Sequence, residues 1–327
     1  MTSIDTAEPT SPWLRVWRVL SSRPVLAILF LVLLLAFFGW RLPETFLTVD
    51  NLKSVITQQA TLMVLAIGVT FVLIIGEFDL SIAFTVGLSA AVAVLLMSAS
   101  GAHPLVAALA AIVVGGLVGI ANGLAVAKGR APAFIATLAV GSAATGIEQL
   151  LTNNNTISSG IPLSYLEFTL TDYLGLPMST WLAVILVGAA IVVMTFTTTG
   201  RRLRATGLNP TAVSLAGSSV TAARMTAFIV MGLLAGLAGV IVSSQGGSYF
   251  PNSGAGLLLP PYSAVFLGAA IVGRGRFSIG ATVFGVIFIA LLERGLTMLN
   301  QKSAVIQLIE GIVLLIAVVL ARQERKS

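Results

Sequence analysis

Read only for apolar and polar positions, the chain is a series of long apolar runs separated by short polar joints. The runs cover 25–41, 54–75, 80–99, 105–127, 132–152, 180–198, 222–243, 258–272, 277–296 and 304–321. A membrane β-strand would alternate over about ten residues, whereas these runs are apolar at successive positions, which predicts helices. Because about 20 apolar residues cross a hydrocarbon core, the pattern predicts an all-α polytopic membrane protein with about ten transmembrane helices. Its parts are a tail over 1–24, a membrane domain over 25–321 containing a polar loop at 200–224, and a tail over 322–327.

The joints fix an orientation. With the amino terminus in the cytoplasm, the inner side receives Arg15, Arg18, Arg23, Lys128, Arg130, Arg201, Arg202, Arg204, Arg224, Arg274, Arg276, Arg322, Arg325 and Lys326. The outer side receives Arg41, Lys53, Arg294 and Lys302, so 14 of the 18 basic residues lie inside and both termini are expected there. The first run follows three arginines and ends in Phe37, Phe38, Gly39 and Trp40, without a small-residue cleavage pattern, and reads as a retained signal anchor.

Composition then narrows the chemistry. The 327 residues are 57% hydrophobic and 9% charged, with a mean hydropathy of +1.02, against about 25% charged in soluble domains. No sizeable soluble domain is left over. The net charge of +6 belongs to the inner loops, so no nucleic-acid partner is expected. Cysteine is absent and His103 is the single histidine, which excludes thiolate chemistry and a zinc cluster. His103 precedes Pro104 in a short outer joint and reads as a turn residue. No His-Glu-x-x-His helix and no G-x-x-x-x-G-K-[ST] phosphate loop occurs, so neither that metalloprotease chemistry nor ATP binding by that route is expected of this chain.

Two joints are long. Residues 151–180, "LTNNNTISSGIPLSYLEFTLTDYLGLPMST", read as turns plus a short surface helix on the outer side. Residues 197–225 form the longest inner joint. Within it Asn209 is placed to cap a helix that Pro210 begins, and "PTAVSLAG" supplies about two turns that Gly217 ends. The plainer reading of this basic segment is a loop held by anionic lipid headgroups.

This loop and five other segments give the chain its resemblance to a known family: "GEFDLSI" (76–82), "NGLAVAKGRAPAFIATLAVGSAATGI" (122–147), "TNNNTISSGIP" (152–162), "GLNPTAVSLAGSSV" (207–220), "GGSYFPNSGAG" (246–256) and "LGAAIVGRGRFSIGATVFG" (267–285). From about residue 50 onward the chain resembles the permease subunits of ATP-binding-cassette importers for monosaccharides, the ribose permease family. The resemblance implies that 207–220 is a coupling helix docked in a cleft of the ATPase subunit, with Arg201, Gly207, Asn209, Pro210, Ala212 and Gly217 in that role. The family form places Glu-Ala-Ala after the proline, whereas this chain has Thr211, Ala212 and Val213. The resemblance further implies two permease copies, two ATPase domains that use ATP and Mg, a periplasmic sugar-binding protein, and a bacterial cytoplasmic membrane location. No cofactor is expected on this chain.

Two inner joints read alike, "GEFDLSI" and "GRGRFSI" (273–279), with Glu77 and Asp79 aligned to Arg274 and Arg276. On one reading Asp79 or Ser81 caps a helix and the arginines serve orientation alone. On the other, these acidic and basic joints meet in one conformation and form a cytoplasmic gate. Both carboxylates are expected to be tolerated because a helix end lies near water, and the same account is expected to cover Glu148, Glu293 and Glu310. A neutral sugar needs amide, hydroxyl and aromatic partners. Gln58, Gln59, Asn122, Thr137, Gln149 and Gln245 are candidates for the path, with interhelical hydrogen bonding the plainer reading of each. Small residues recur in "GLVGIANG" (116–123) and "GLLAGLAG" (232–239) at near-helical spacing, which predicts close helix packing.

Three function classes follow: an importer permease, an ion-coupled secondary transporter or channel for a small polar solute, and an intramembrane enzyme. The first accords with the most segments, and no catalytic set supports the third.

Overall fold

The computed structural model describes residues 23–273 and 275–324. Arg15, Arg18, Arg274, Arg325 and Lys326 lie outside the described residues, as do the parts of the two tails that hold them. Among the described residues every apolar run contains a helix. In chain order these are α1 (Arg23–Arg41), α2 (Val49–Gln58), α3 (Ala60–Ile74), α4 (Ile82–Ser100), α5 (Pro104–Gly123), α6 (Ala133–Thr152), α7 (Leu163–Leu170), α8 (Met178–Phe196), α9 (Thr198–Leu208), α10 (Pro210–Leu215), α11 (Val220–Gly246), α12 (Leu259–Ile271), α13 (Ile279–Met298) and α14 (Ser303–Glu324). Seven stretches are individually long and apolar enough to cross a membrane: α4, α5 with the π-turn Leu124–Lys128 that extends it, α6, α8, α11, α13 and α14. An eighth arises if α2 and α3, bent by 47° at Gln59, are one span, while the apolar stretches Ile28–Arg41 and Ala255–Ile271 are shorter.

The centre is α3, where 14 of 15 residues are buried, Met63 being the exception. A helix apolar all round is stable only when covered all round, and α8, α11, α12 and α13 are among the helices that cover it. The packing expected of the small residues is observed between α5 and α11. A Cβ added to Gly236 would fall 2.8 Å from Ile112 Cα, and one added to Gly232 would fall 2.8 Å from Gly119 Cα. The two backbones therefore touch, which dispersion alone can stabilise in lipid.

The joints follow their local chemistry. His103 Nδ1 accepts from the Leu105 N–H at 3.2 Å and starts α5 ahead of Pro104. The 151–180 joint holds α7 and a two-residue hairpin, β1 (Asp172–Tyr173) with β2 (Leu176–Pro177). It is anchored more deeply than a surface helix would be: Tyr165 is buried, with its hydroxyl 2.7 Å from Ser243 Oγ on α11.

Candidate transport path and coupling loop

The 197–225 joint is built as its sequence dictates. Thr197 accepts from the Gly200 N–H to start α9, and Asn209 Oδ1 accepts from the Ala212 N–H at 3.0 Å to start α10, with Pro210 in the first turn. Gly217, at φ +72°, takes the left-handed turn that ends α10, and Ser219 accepts from the Ala222 N–H to start α11. Only Val213 of α10 is buried; Leu208 and Leu215 are 76% and 85% exposed. Arg201, Arg202, Asn209, Pro210, Ala212 and Gly217 are exposed around them.

Two contacts tie this joint to the 75–81 loop. Gly207 lies against the end of α3, where an added Cβ would strike the Ile74 carbonyl and come within 3.2 Å of Ile75 Cα. Arg224, in the first turns of α11, pairs with Glu77 at 2.9 Å. Burial raises the Glu77 pKa and Arg224 opposes the rise.

Asp79 corrects an expectation. It does not sit near water at a helix end but is 1% exposed. Its Oδ1 accepts from the Ser81 N–H at 2.8 Å and from Ser81 Oγ at 2.6 Å, while Asn122 Nδ2 donates to both carboxylate oxygens at 3.3 Å. The Tyr262 hydroxyl donates to the Asp79 carbonyl at 2.7 Å, and Thr137 Oγ1 accepts from the Leu80 N–H at 3.0 Å. The carboxylate thus fixes the turn into α4, and Asn122 and Thr137, both fully buried, hold it from α5 and α6. Arg276 is exposed in its own loop, and Ser278 caps α13 by accepting from Ala281, a contact Ser81 does not copy on α4.

Burial pushes the Asp79 pKa up to about 6, against the opposing hydrogen bonds from Ser81 and Asn122. The proton is therefore held more tightly in the folded chain than in the unfolded one. The resulting stability is fully present below about pH 3.8 and is lost as pH rises through about 6; it amounts to on the order of 3 kcal/mol. Purified protein should melt at a higher temperature at pH 5 than at pH 7.5, and Asp79→Asn should reduce that difference. An unchanged difference in the variant would show that Asp79 is not its source.

Other residues separate. Gln59 Nε2 donates to Glu293 at 3.1 Å, Gln58 and Gln149 are exposed, and Gln245 is half-buried. Glu148 and Glu310 are 2% and 7% exposed, so helix-end solvation does not account for them. Glu148 accepts from the Tyr249 hydroxyl at 2.7 Å and from the Asn252 N–H at 3.2 Å. Beside the 75–81 loop a cavity of about 360 Å³ is lined by Phe78, Leu80, Phe134, Tyr262 and Phe266 among others; its surface is wholly apolar and offers a sugar no hydrogen bond. Sequence reasoning missed Tyr249, Asn252 and Tyr262. The Tyr-Phe-Pro-Asn run at 249–252 and the Pro-Pro-Tyr run at 260–262 were the available signals.

Residues 51–318 match the family model described as branched-chain amino acid transport system / permease component. The chain is 30% identical over 319 residues to the ribose import permease protein RbsC of Escherichia coli (strain K12), covering 97% of this chain and 96% of that protein. It is 33% identical over 302 residues to the ribose import permease protein RbsC of Bacillus subtilis (strain 168), covering 92% of each. It is 29% identical over 317 residues to the L-arabinose ABC transporter permease protein AraH of Azospirillum brasilense, covering 95% of this chain and 91% of that protein. No solved structure matches it.

Proposed function

The chain belongs to the branched-chain amino acid transport system / permease component family, and from that premise we propose that it is the membrane subunit of an ATP-driven importer for a monosaccharide. The observation that carries this reading is the nearly full-length similarity to ribose import permeases. The exposed, capped helix α10 in the basic inner joint agrees with it.

In this reading the chain performs no covalent chemistry. Two copies form the route through a bacterial cytoplasmic membrane, about ten helices each, with both termini inside. A periplasmic binding protein delivers the sugar, and two ATPase subunits, using ATP and Mg, dock at α10. Transport is alternating access: nucleotide and binding protein each favour one of two states and shift the population between them. Specificity for one pentose or hexose then rests largely with the binding protein. The 75–81 loop, tied to the inner joint at Gly207 and Arg224, lies where motion of α10 would first reach the membrane domain.

Purification of the chain from its host in mild detergent, followed by mass spectrometry, is expected to recover an ATPase subunit and a sugar-binding protein. Reconstituted complex should take up the sugar only with ATP. Repeated recovery without an ATPase, with uptake driven by an ion gradient, would replace this reading by secondary transport.

A further inference from the structure

The connection between α11 and α12 leaves the helical pattern inside the bundle. It starts level with one end of α4: Tyr249 exchanges backbone hydrogen bonds with Ile157 at 2.9 Å each, and a Cβ on nearby Gly160 would lie 3.0 Å from Ser98 Cα. From there the chain descends. Glu148 holds Tyr249 and the Asn252 N–H, and its Oε2 lies where a Cβ on Gly87 would come within 2.7 Å. Gly254 then rests on the Ala83 carbonyl, with the Gly87 nitrogen 3.2 Å from its built Cβ.

Along α4, at 1.5 Å per residue, Gly87 is about 20 Å from Ser100 and about 8 Å from Ile82. Regular α-helix resumes only at Leu259, and the 13 residues of α12 reach about 20 Å, short of the roughly 30 Å of a hydrocarbon core. Residues 247–258 are therefore an irregular lead-in to α12 at membrane depth, outside α-helix and with a single 3-10 turn at Ala255–Leu257. Non-helical backbone is tolerated there only when it is buried in protein or lines a water-filled cavity. Burial does not describe this one: Asn252, Ala255 and Gly256 are exposed. Its exposed edge also differs from the apolar outer face of α8, where Val184 and Ile185 are 53% and 63% exposed.

We propose that the edge formed by Asn252, Ala255 and Gly256 lines the aqueous route of the substrate, a neutral polyhydroxylated solute, with Glu148 as the positioning residue that pins the segment in place. Phe250, two residues before Asn252 and 49% exposed, adds an aromatic face to the segment's amide, the two kinds of surface a sugar ring uses. The identity of the solute rests on the importer reading; the lining role does not.

The chain has no cysteine, so single cysteines report cleanly. Ala255→Cys, Gly256→Cys and, as a lipid-facing control, Gly188→Cys are introduced into the full chain expressed with its native partners. Built Cβ atoms at Gly256 and Gly188 meet nothing within 4 Å, so both variants are sterically free. A membrane-impermeant methanethiosulfonate applied from outside should modify positions 255 and 256 at least ten-fold faster than 188. The modification should reduce uptake at least ten-fold, and ribose added as a trial solute should slow it if ribose is carried. Reaction at the rate of position 188, in variants that still transport, would overturn the lining role; if Ala255→Cys is poorly inserted, Gly256→Cys decides alone. ATP-independent uptake by the unmodified parent would instead sink the importer reading and leave the labelling result intact.

Discussion

Replacing Leu208 and Leu215 together by aspartate is expected to abolish ATP-driven uptake while the chain still inserts at its normal level. Both leucines are exposed in the 197–225 joint, at 76% and 85%, and neither supports the fold. A single exposed leucine is ordinary. Two of them within eight residues, Leu208 at the end of α9 and Leu215 at the end of α10, with exposed Arg201 and Arg202 on α9, form an apolar knob on a basic joint. If the knob enters a cleft of the ATPase subunit, each leucine leaves water on docking and contributes about 1.5–3 kcal/mol. Loss of both would weaken docking by a factor of about 10² to 10⁴. The ATPase should then no longer co-purify, and uptake should fall with it. Thr211→Ala, by contrast, is expected to change little, because the carboxylate that the family carries at that position is already missing here. Normal co-purification from the double variant would remove α10 as the docking element.

What could be read in the sequence was short in range. Asn209, Pro210 and Gly217 fix α10 within nine positions of one another, and cap chemistry is local, so the helix was legible to its ends. The apolar runs and the glycine spacing of α5 and α11 were legible for the same reason: each is a pattern within one helix. The environment of the carboxylates was not. Glu77 meets Arg224 across 147 positions, and Glu148 meets Tyr249 across 101. An acidic residue at the edge of an apolar run looks the same whether the loop beside it faces water or, as at Asp79, is roofed by Asn122, Thr137 and Tyr262. The likeness of "GEFDLSI" to "GRGRFSI" likewise did not carry into matching caps, since Ser278 accepts from the backbone of α13 while Ser81 instead donates to Asp79. The irregular lead-in to α12 left one mark, a run at 258–272 too short for a hydrocarbon core. Its depth became visible only when Gly254 was placed on Ala83.

Gly207→Ala should separate docking from transport. Gly207 is the point at which α9 touches the carbonyl end of α3, and an added methyl group cannot occupy the space of the Ile74 oxygen. Over-packing of this kind costs about 1–3 kcal/mol and is relieved by moving one element away from the other. The element free to move is α9, which carries α10 at its end and belongs to the 197–225 joint. The exposed face of α10 is unchanged by the substitution, so the ATPase should still bind and still hydrolyse ATP. Uptake should fall at least ten-fold, because motion of α10 would no longer press on α3 and the 75–81 loop. The remaining link, Glu77 to Arg224, is a partly buried pair with side chains 16% and 31% exposed; one side-chain pair cannot replace a backbone contact, and Glu77→Gln, which keeps a hydrogen-bond acceptor for Arg224, should lower uptake only about two- to five-fold. Uptake and hydrolysis rates measured on the same reconstituted preparations decide the matter. A Gly207→Ala complex that hydrolyses ATP without moving sugar would place the coupling step at the α9–α3 contact. One that keeps both rates would show that force reaches the membrane domain elsewhere, and one that loses both would make Gly207 part of the docking element itself.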